Sequence, residues 1–253
     1  LSSNRWSRDE LKLAFHLYCQ LPFGRLHQRN QEITQLAGLI SRTPSALAMK
    51  LVNFASLDPA ITASGRKGLG GASKLDQEVW DQFHADWEGL ALECERLRAD
   101  LASGAAAVVP SIVDDLHYIG ETRQVMVEQR IKQQFFRKAV LSSYRGKCCM
   151  SGLAEPRLLL ASHIVPWSQD KANRLNPANG LCLSALHDRA FDQGLIALTD
   201  EFTVILSASL RQRDEPFVLE VLLPLAGRQI ELPERFMPSV ELLAWHRERV
   251  FVG

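Results

Sequence analysis

The chain has no apolar run approaching the thickness of a bilayer, no basic-then-apolar segment at its start, no Cys-x-x-Cys pair and no net charge, 29 Lys and Arg standing against 29 Asp and Glu. The first absence excludes a membrane-spanning helix. It opens on Leu1, so a processed or truncated start is expected. The cysteines (Cys19, Cys94, Cys148, Cys149 and Cys182) are odd in number and irregular in spacing, which excludes a disulfide framework and fits a reducing cytoplasm. Neutrality removes the global basic signature of nucleic-acid-binding proteins. No serine or cysteine lies in a Gly-x-Ser-x-Gly elbow, which disfavours a hydrolase built on Cys148 or Ser162. The glycine-rich stretch Ser64 to Gly71 matches no Walker pattern, which removes nucleotide binding there.

What is present is an ordinary globular composition, 46% hydrophobic and 23% charged over 253 residues, long enough for two domains. The neutral total hides a segregation of charge. Residues 25–74 hold Arg25, Arg29, Arg42, Lys50, Arg66, Lys67 and Lys74 against Glu32 and Asp58, whereas residues 76–100 hold eight acids against Arg96 and Arg98. A basic face meeting a polyanion fits this pattern, as do two plain solvated faces.

The small-residue stretch Ala102 to Pro110 divides the chain into a helical domain (1–100), a linker (101–121) and a second domain (122–253). In the first, Ser7 is placed to cap a helix carrying Leu11, Phe15 and Tyr18. Glu32 to Ser41 puts Ile33, Leu36, Ala37 and Ile40 on one face, and Thr43 with Pro44 starts a helix carrying Leu47, Leu51 and Phe54. Two short helices joined at Arg42 form a helix-turn-helix-like pattern. It permits a DNA-reading helix with Ser45, Met49, Lys50 and Asn53 outward, and Arg66 with Lys67 as a phosphate clamp; a plain bundle or dimerisation module is the other reading. Trp80, Phe83, Trp87 and Leu90 recur at helical spacing and read as core.

In the second domain, residues 122–143 read as one helix. The apolar run Leu158 to Ala161 reads as a strand leading to His163, Asn179 falls in a Pro/Asn/Gly turn, and His187 opens a helix-like stretch. The three are separated by sixteen and eight residues. Taken singly they are a strand-end histidine, a turn asparagine and a helix residue. Residues 202–206 and 217–222 suit strands, and Val240 to Phe251 suits a final helix whose His246 reads first as structural.

Taken together, Ala161-Ser162-His163-Ile164-Val165-Pro166-Trp167, Asn179-Gly180-Leu181 and His187-Asp188-Arg189-Ala190-Phe191-Asp192 resemble the HNH endonuclease family, most strongly over residues 148–196. The resemblance implies an α+β protein in which a helical N-terminal domain precedes a ββα-metal nuclease fold. It also implies roles: His163 as general base, Asn179 holding the loop and the His163 ring, and His187 as ligand to one divalent ion. Many relatives carry an aspartate or histidine where this chain has Ser162, a poor ligand, so Asp192 or water is expected to complete the shell. The ion is expected to be Mg²⁺ or Mn²⁺, with Ni²⁺ and Zn²⁺ also open. Relatives with two Cys-x-x-Cys pairs hold a structural zinc; here an apolar core is expected instead. Arg189 is a candidate phosphate contact, with an ordinary surface charge as the alternative.

The activity so implied is hydrolysis of DNA to 5′-phosphate and 3′-hydroxyl ends, by a homodimer if both strands are cut, in a cytoplasmic restriction or phage-defence enzyme that reads base modification. RNA stays open as a substrate. The rival is a DNA-binding regulator that keeps the HNH fold as an inactive scaffold, a reading favoured by Ser162.

Overall fold

The computed structural model describes residues 5–63, 65, 70–104 and 120–253. The chain forms two compact units, residues 1–135 and 136–253. The expected linker, 101–121, mostly lies outside the described residues; its first four residues belong to a helix.

The first unit is helical: α1 (Arg8–Gln20), α2 (Gln31–Leu39), α3 (Pro44–Ala55), α4 (Pro59–Ala63), α5 (Lys74–Ala85), α6 (Trp87–Gly104) and the start of α7 (Gly120–Ser143). Local chemistry sets the starts. Ser7 with Glu10, and Ser73 with Asp76, form reciprocal capping boxes, and Thr43 caps α3 with Pro44 in its first turn. Between α2 and α3 the chain reverses at Ser41, whose φ of 54° closes the turn of the expected helix-turn-helix pattern. Phe15 is the hub of the core, with its ring 4.8 Å from Phe83, 5.0 Å from Phe54 and 5.2 Å from Trp80. The aromatic series read from sequence is therefore core, although Asp86 breaks it into two helices.

One expectation for this unit is corrected. Lys50 does not face outward: it is buried, and its Nζ donates to both carboxylate oxygens of the fully buried Asp76, at 3.0 and 2.9 Å. Lys50 is the only charged residue of α3, so the outward face that remains, with Ser45 and the 58% exposed Met49, has no cation for a phosphate. Asn53 is half-buried. Arg66 and Lys67 lie outside the described residues.

The second unit is the α+β part. The last residues of α7 precede β1 (Leu159–His163) and β2 (Gly180–Ser184), which pair antiparallel with Ser162 opposite Leu181 and His163 opposite Gly180. α8 (Ala185–Asp192) follows β2 directly, capped by Ser184. A second hairpin, β3 (Ile196–Leu198) and β4 (Val204–Leu206), is followed by α9 (Ala208–Arg211), and α10 (Val240–Arg249) closes the chain. The strand expected at 217–222 is helical instead: residues 218–222 form a π-helical turn. Its alternation of apolar residues lacks a partner strand, and Phe217, Leu219 and Val221 point to solvent. The core holds Cys148, Cys149 and Cys182 as buried free thiols among Leu159, Leu181, Leu183, Phe191 and Ile196.

Replacing Lys50 with Met would leave Asp76 buried without its counter-charge. We expect K50M to lose about 3 kcal/mol of stability, read in urea denaturation, and the double variant K50M/D76L to recover most of it.

Candidate active site

β1, the Asn179 turn, β2 and α8 bring the sequence motifs together. Asn179 has no exposed surface. Its Oδ1 accepts from Val165 N at 2.8 Å, and its Nδ2 donates to Val165 O and Asn173 O, both at 3.1 Å. The Asn179 carbonyl accepts from Ile164 N at 2.9 Å. One residue thus fixes the backbone just after His163.

His163 is held on three sides. Its ring lies flat on Phe136, centroids 3.8 Å apart, and edge-on to Trp167 at 5.7 Å. Its Nε2 is 2.9 Å from Arg174 O. A carbonyl only accepts, so Nε2 carries the proton and the neutral ring keeps its lone pair on Nδ1. Burial pushes the imidazole below its ordinary pKa, against the smaller opposing pull of the Arg174 carbonyl and Asp188, so the neutral form is the resting form at neutral pH. Arg174 is itself anchored: its Nε donates to Trp167 O at 2.8 Å and its guanidinium sits 5.4 Å over the Trp167 ring.

His163 opens onto a cleft of about 470 Å³ lined also by Ser162, Trp167, Asp188, Arg189, Asp192 and His246. Ser162 Oγ is buried and has no hydrogen-bond partner. Asp188 and Asp192, four residues apart on α8, share its cleft face. Desolvation and then the Asp188 carboxylate raise the Asp192 carboxyl above its usual range, with Arg189 pulling the other way. Arg189 is exposed at the rim.

His187 is placed differently. It is 3% exposed, it is not among the residues lining the cleft, and its Nδ1 meets Cys148 Sγ at 3.3 Å while Nε2 has no partner. Burial raises the Cys148 thiol, but hydrogen bonds led by that from His187 outweigh it and bring the pKa to about 6. Helical geometry explains the difference from expectation. One residue is a turn of about 100°, so the step from His187 to Asp188 exchanges the core face of α8 for the cleft face.

Among the described residues, no three His, Cys, Asp or Glu side chains converge as a ready cation cage. The cleft donors nevertheless fit a hard divalent cation in kind: two carboxylates and an unpartnered buried hydroxyl, all oxygen. Sequence reasoning missed Asp188, for which the i, i+4 spacing with Asp192 was the available signal; it read His246 first as structural and left a contact to the site open, and the structure places it in the cleft wall.

A two-stranded antiparallel sheet followed directly by a helix, with a backbone-anchored imidazole beside paired carboxylates, makes a ββα unit. Residues 148–199, 52 of the 253, match the family described as HNH endonuclease. No curated protein matches the chain. Among the described residues no helix is long and apolar enough to cross a membrane.

Two outcomes follow from this geometry. N179A removes the three side-chain hydrogen bonds and leaves buried main-chain partners unpaired, so it should cost about 3 kcal/mol in urea denaturation. Burial, with Arg247 adding repulsion, holds His246 at a pKa of about 4 against an ordinary 6.5. A depressed histidine gives stability that is complete above pH 6.5 and is lost as pH falls toward 4. The span corresponds to about 3 kcal/mol, and H246Q should flatten that part of the stability profile.

Proposed function

We propose that the protein is a divalent-cation-dependent DNA endonuclease. The single observation carrying this reading is that the Nδ1-free His163, Ser162 and the Asp188/Asp192 pair share one cleft inside the segment that matches the HNH endonuclease family. His163 Nδ1 takes a proton from the attacking water, while Arg174 O keeps the ring in the tautomer that leaves Nδ1 open. Asn179 fixes the chain that carries the base. Asp188 and Asp192, with Ser162, hold the cation, and His187 serves the core beneath α8 rather than the first coordination sphere. When bound, the cation supplies charge neutralisation at the phosphate and at the departing oxygen. Arg189 at the rim contacts a flanking phosphate. Attack by water with departure of the 3′ oxygen leaves 5′-phosphate and 3′-hydroxyl ends.

A helical unit joined to a nuclease unit, with a neutral total charge, suits an enzyme whose selectivity resides outside the catalytic domain. We assign it to a cytoplasmic restriction or phage-defence system that responds to base modification, acting as a homodimer to cut both strands. The five free thiols support a reducing compartment. The scaffold-regulator reading drew its weight from Ser162 in a ligand position; the carboxylate pair supplies the donors that Ser162 lacks.

Plasmid cleavage tests this directly, on unmodified and base-modified DNA, with Mg²⁺, Mn²⁺, Ni²⁺, Zn²⁺ or chelator. We expect chelator to abolish cutting, H163A to lower the rate about 10²- to 10⁴-fold with DNA binding retained, and D188N and D192N to raise the cation requirement while H187Q does so less. Cutting that survives chelation, or H163A at the wild-type rate, would sink the proposal. DNA binding without cutting would favour the scaffold regulator.

A further inference from the structure

The C-terminal helix lies beyond residues 148–199, yet it is tied to both ends of the cleft. At its start, Ser239 N donates to Ala178 O at 3.0 Å, the residue before Asn179. Near its end, the His246 ring stacks on Phe191 with centroids 3.7 Å apart, and its Nε2 lies 3.1 Å from Phe191 O. Just past it, Val252 N donates to Gly194 O at 3.0 Å. Gly194 has φ 68°, and a side chain there would collide with Val250 O, so the tail is packed directly on the chain leaving α8.

Phe191 is the residue before Asp192 and lies in the last turn of α8, and its carbonyl accepts from Gly194 N at 2.9 Å just past the helix. His246 adds a second donor to that carbonyl from outside α8. As with His163, the carbonyl obliges Nε2 to be the donor and leaves Nδ1 as a lone pair. That Nδ1 is buried and has no hydrogen-bond partner, in a side chain 98% buried that also lines the cleft. A capping role alone accounts for Nε2. It does not account for a buried acceptor left empty in the wall of a cleft that already holds two carboxylates and an unpartnered serine hydroxyl.

We infer that His246 is a positioning residue of the cation site, which holds the last turn of α8 through the Phe191 carbonyl so that Asp192 stays aimed into the cleft with Asp188, and whose Nδ1 accepts a hydrogen bond from water in that cleft. This rests on the reading of Asp188 and Asp192 as cation ligands. A ligand's supporting hydrogen bonds limit its freedom before the ion arrives, and their loss weakens the site without removing a donor atom.

The test measures Mn²⁺ binding to the full chain without nucleic acid, by the electron paramagnetic resonance signal of the free ion, together with thermal unfolding. H246F keeps a ring on Phe191 and removes both nitrogens; H246Q supplies an amide N–H for the Phe191 carbonyl. We expect H246F to weaken Mn²⁺ binding about tenfold to a hundredfold, H246Q to recover most of that loss, and D192N to bind far more weakly than either. Wild-type affinity in H246F, even with a lowered unfolding temperature, overturns the positioning role, and so does an equal loss in H246F and H246Q. Unchanged binding in D192N instead overturns the cation-site reading on which the inference stands. If H246F does not fold, H246M against H246Q makes the same comparison of an apolar chain with a hydrogen-bond donor.

Discussion

Asn179 has no surface, and its amide satisfies main-chain groups of Asn173 and Val165, so the chain leaving β1 is bound to the residue that enters β2. An amide is the side chain suited to this place, because it offers an acceptor to one buried N–H and donors to two buried carbonyls at once. The rest of the site follows from that lock. With the backbone after His163 fixed, the imidazole reaches Arg174 O on one edge and Phe136 on its face, and the Nδ1 lone pair is left open by elimination. Because β2 runs straight into α8 through the Ser184 cap, fixing the register of β1 against β2 also fixes where Asp188 and Asp192 emerge.

Two of the buried polar groups left without a partner in this unit line the cleft. Ser162 Oγ, His187 Nε2 and His246 Nδ1 are all buried and unpartnered, and Ser162 and His246 line the same cleft. Leaving a buried hydroxyl or imidazole unsatisfied costs roughly 1–3 kcal/mol each. Such a cost is tolerable when water or a ligand supplies the missing bond. In the helical unit, by contrast, the buried charges of Lys50 and Asp76 are engaged with each other.

Much of this was legible in the sequence, for reasons that differ by element. Helix starts were local: Ser7, Thr43 with Pro44, and the apolar spacing that follows each, state their geometry within a few residues. His163, Asn179 and the start of α8 were legible because the order and spacing of a family motif encode the ββα path. Lys50 was misread because a helix surface looks polar wherever a lysine falls, and only the tertiary partner Asp76, 26 residues away, reveals that the charge is turned inward. The segment 217–222 was misread because alternation is shared by strands and by short helices that expose one side. His187 and Asp188 are neighbours in sequence and opposite in environment, a distinction that depends on the phase of α8 and so on packing against Cys148. His246 is 55 residues from Phe191, and no pattern short of the fold joins them.

The electrostatics of the cleft argue for the order of its parts. Two carboxylates share one face of a short helix, and desolvation followed by the Asp188 charge raises the Asp192 carboxyl. A phosphodiester brought to the same place would add a third negative charge, while His163 beside it is kept neutral by burial. Arg189 alone, exposed at the rim and screened by solvent, is too weak a counter-charge for that sum. A small divalent cation, if held by Asp188 and Asp192 as proposed, would reverse the sign of the field at the phosphate. On the proposed reading, such a cleft would repel a phosphodiester when empty and attract it when loaded, so nucleic-acid affinity itself should follow the cation.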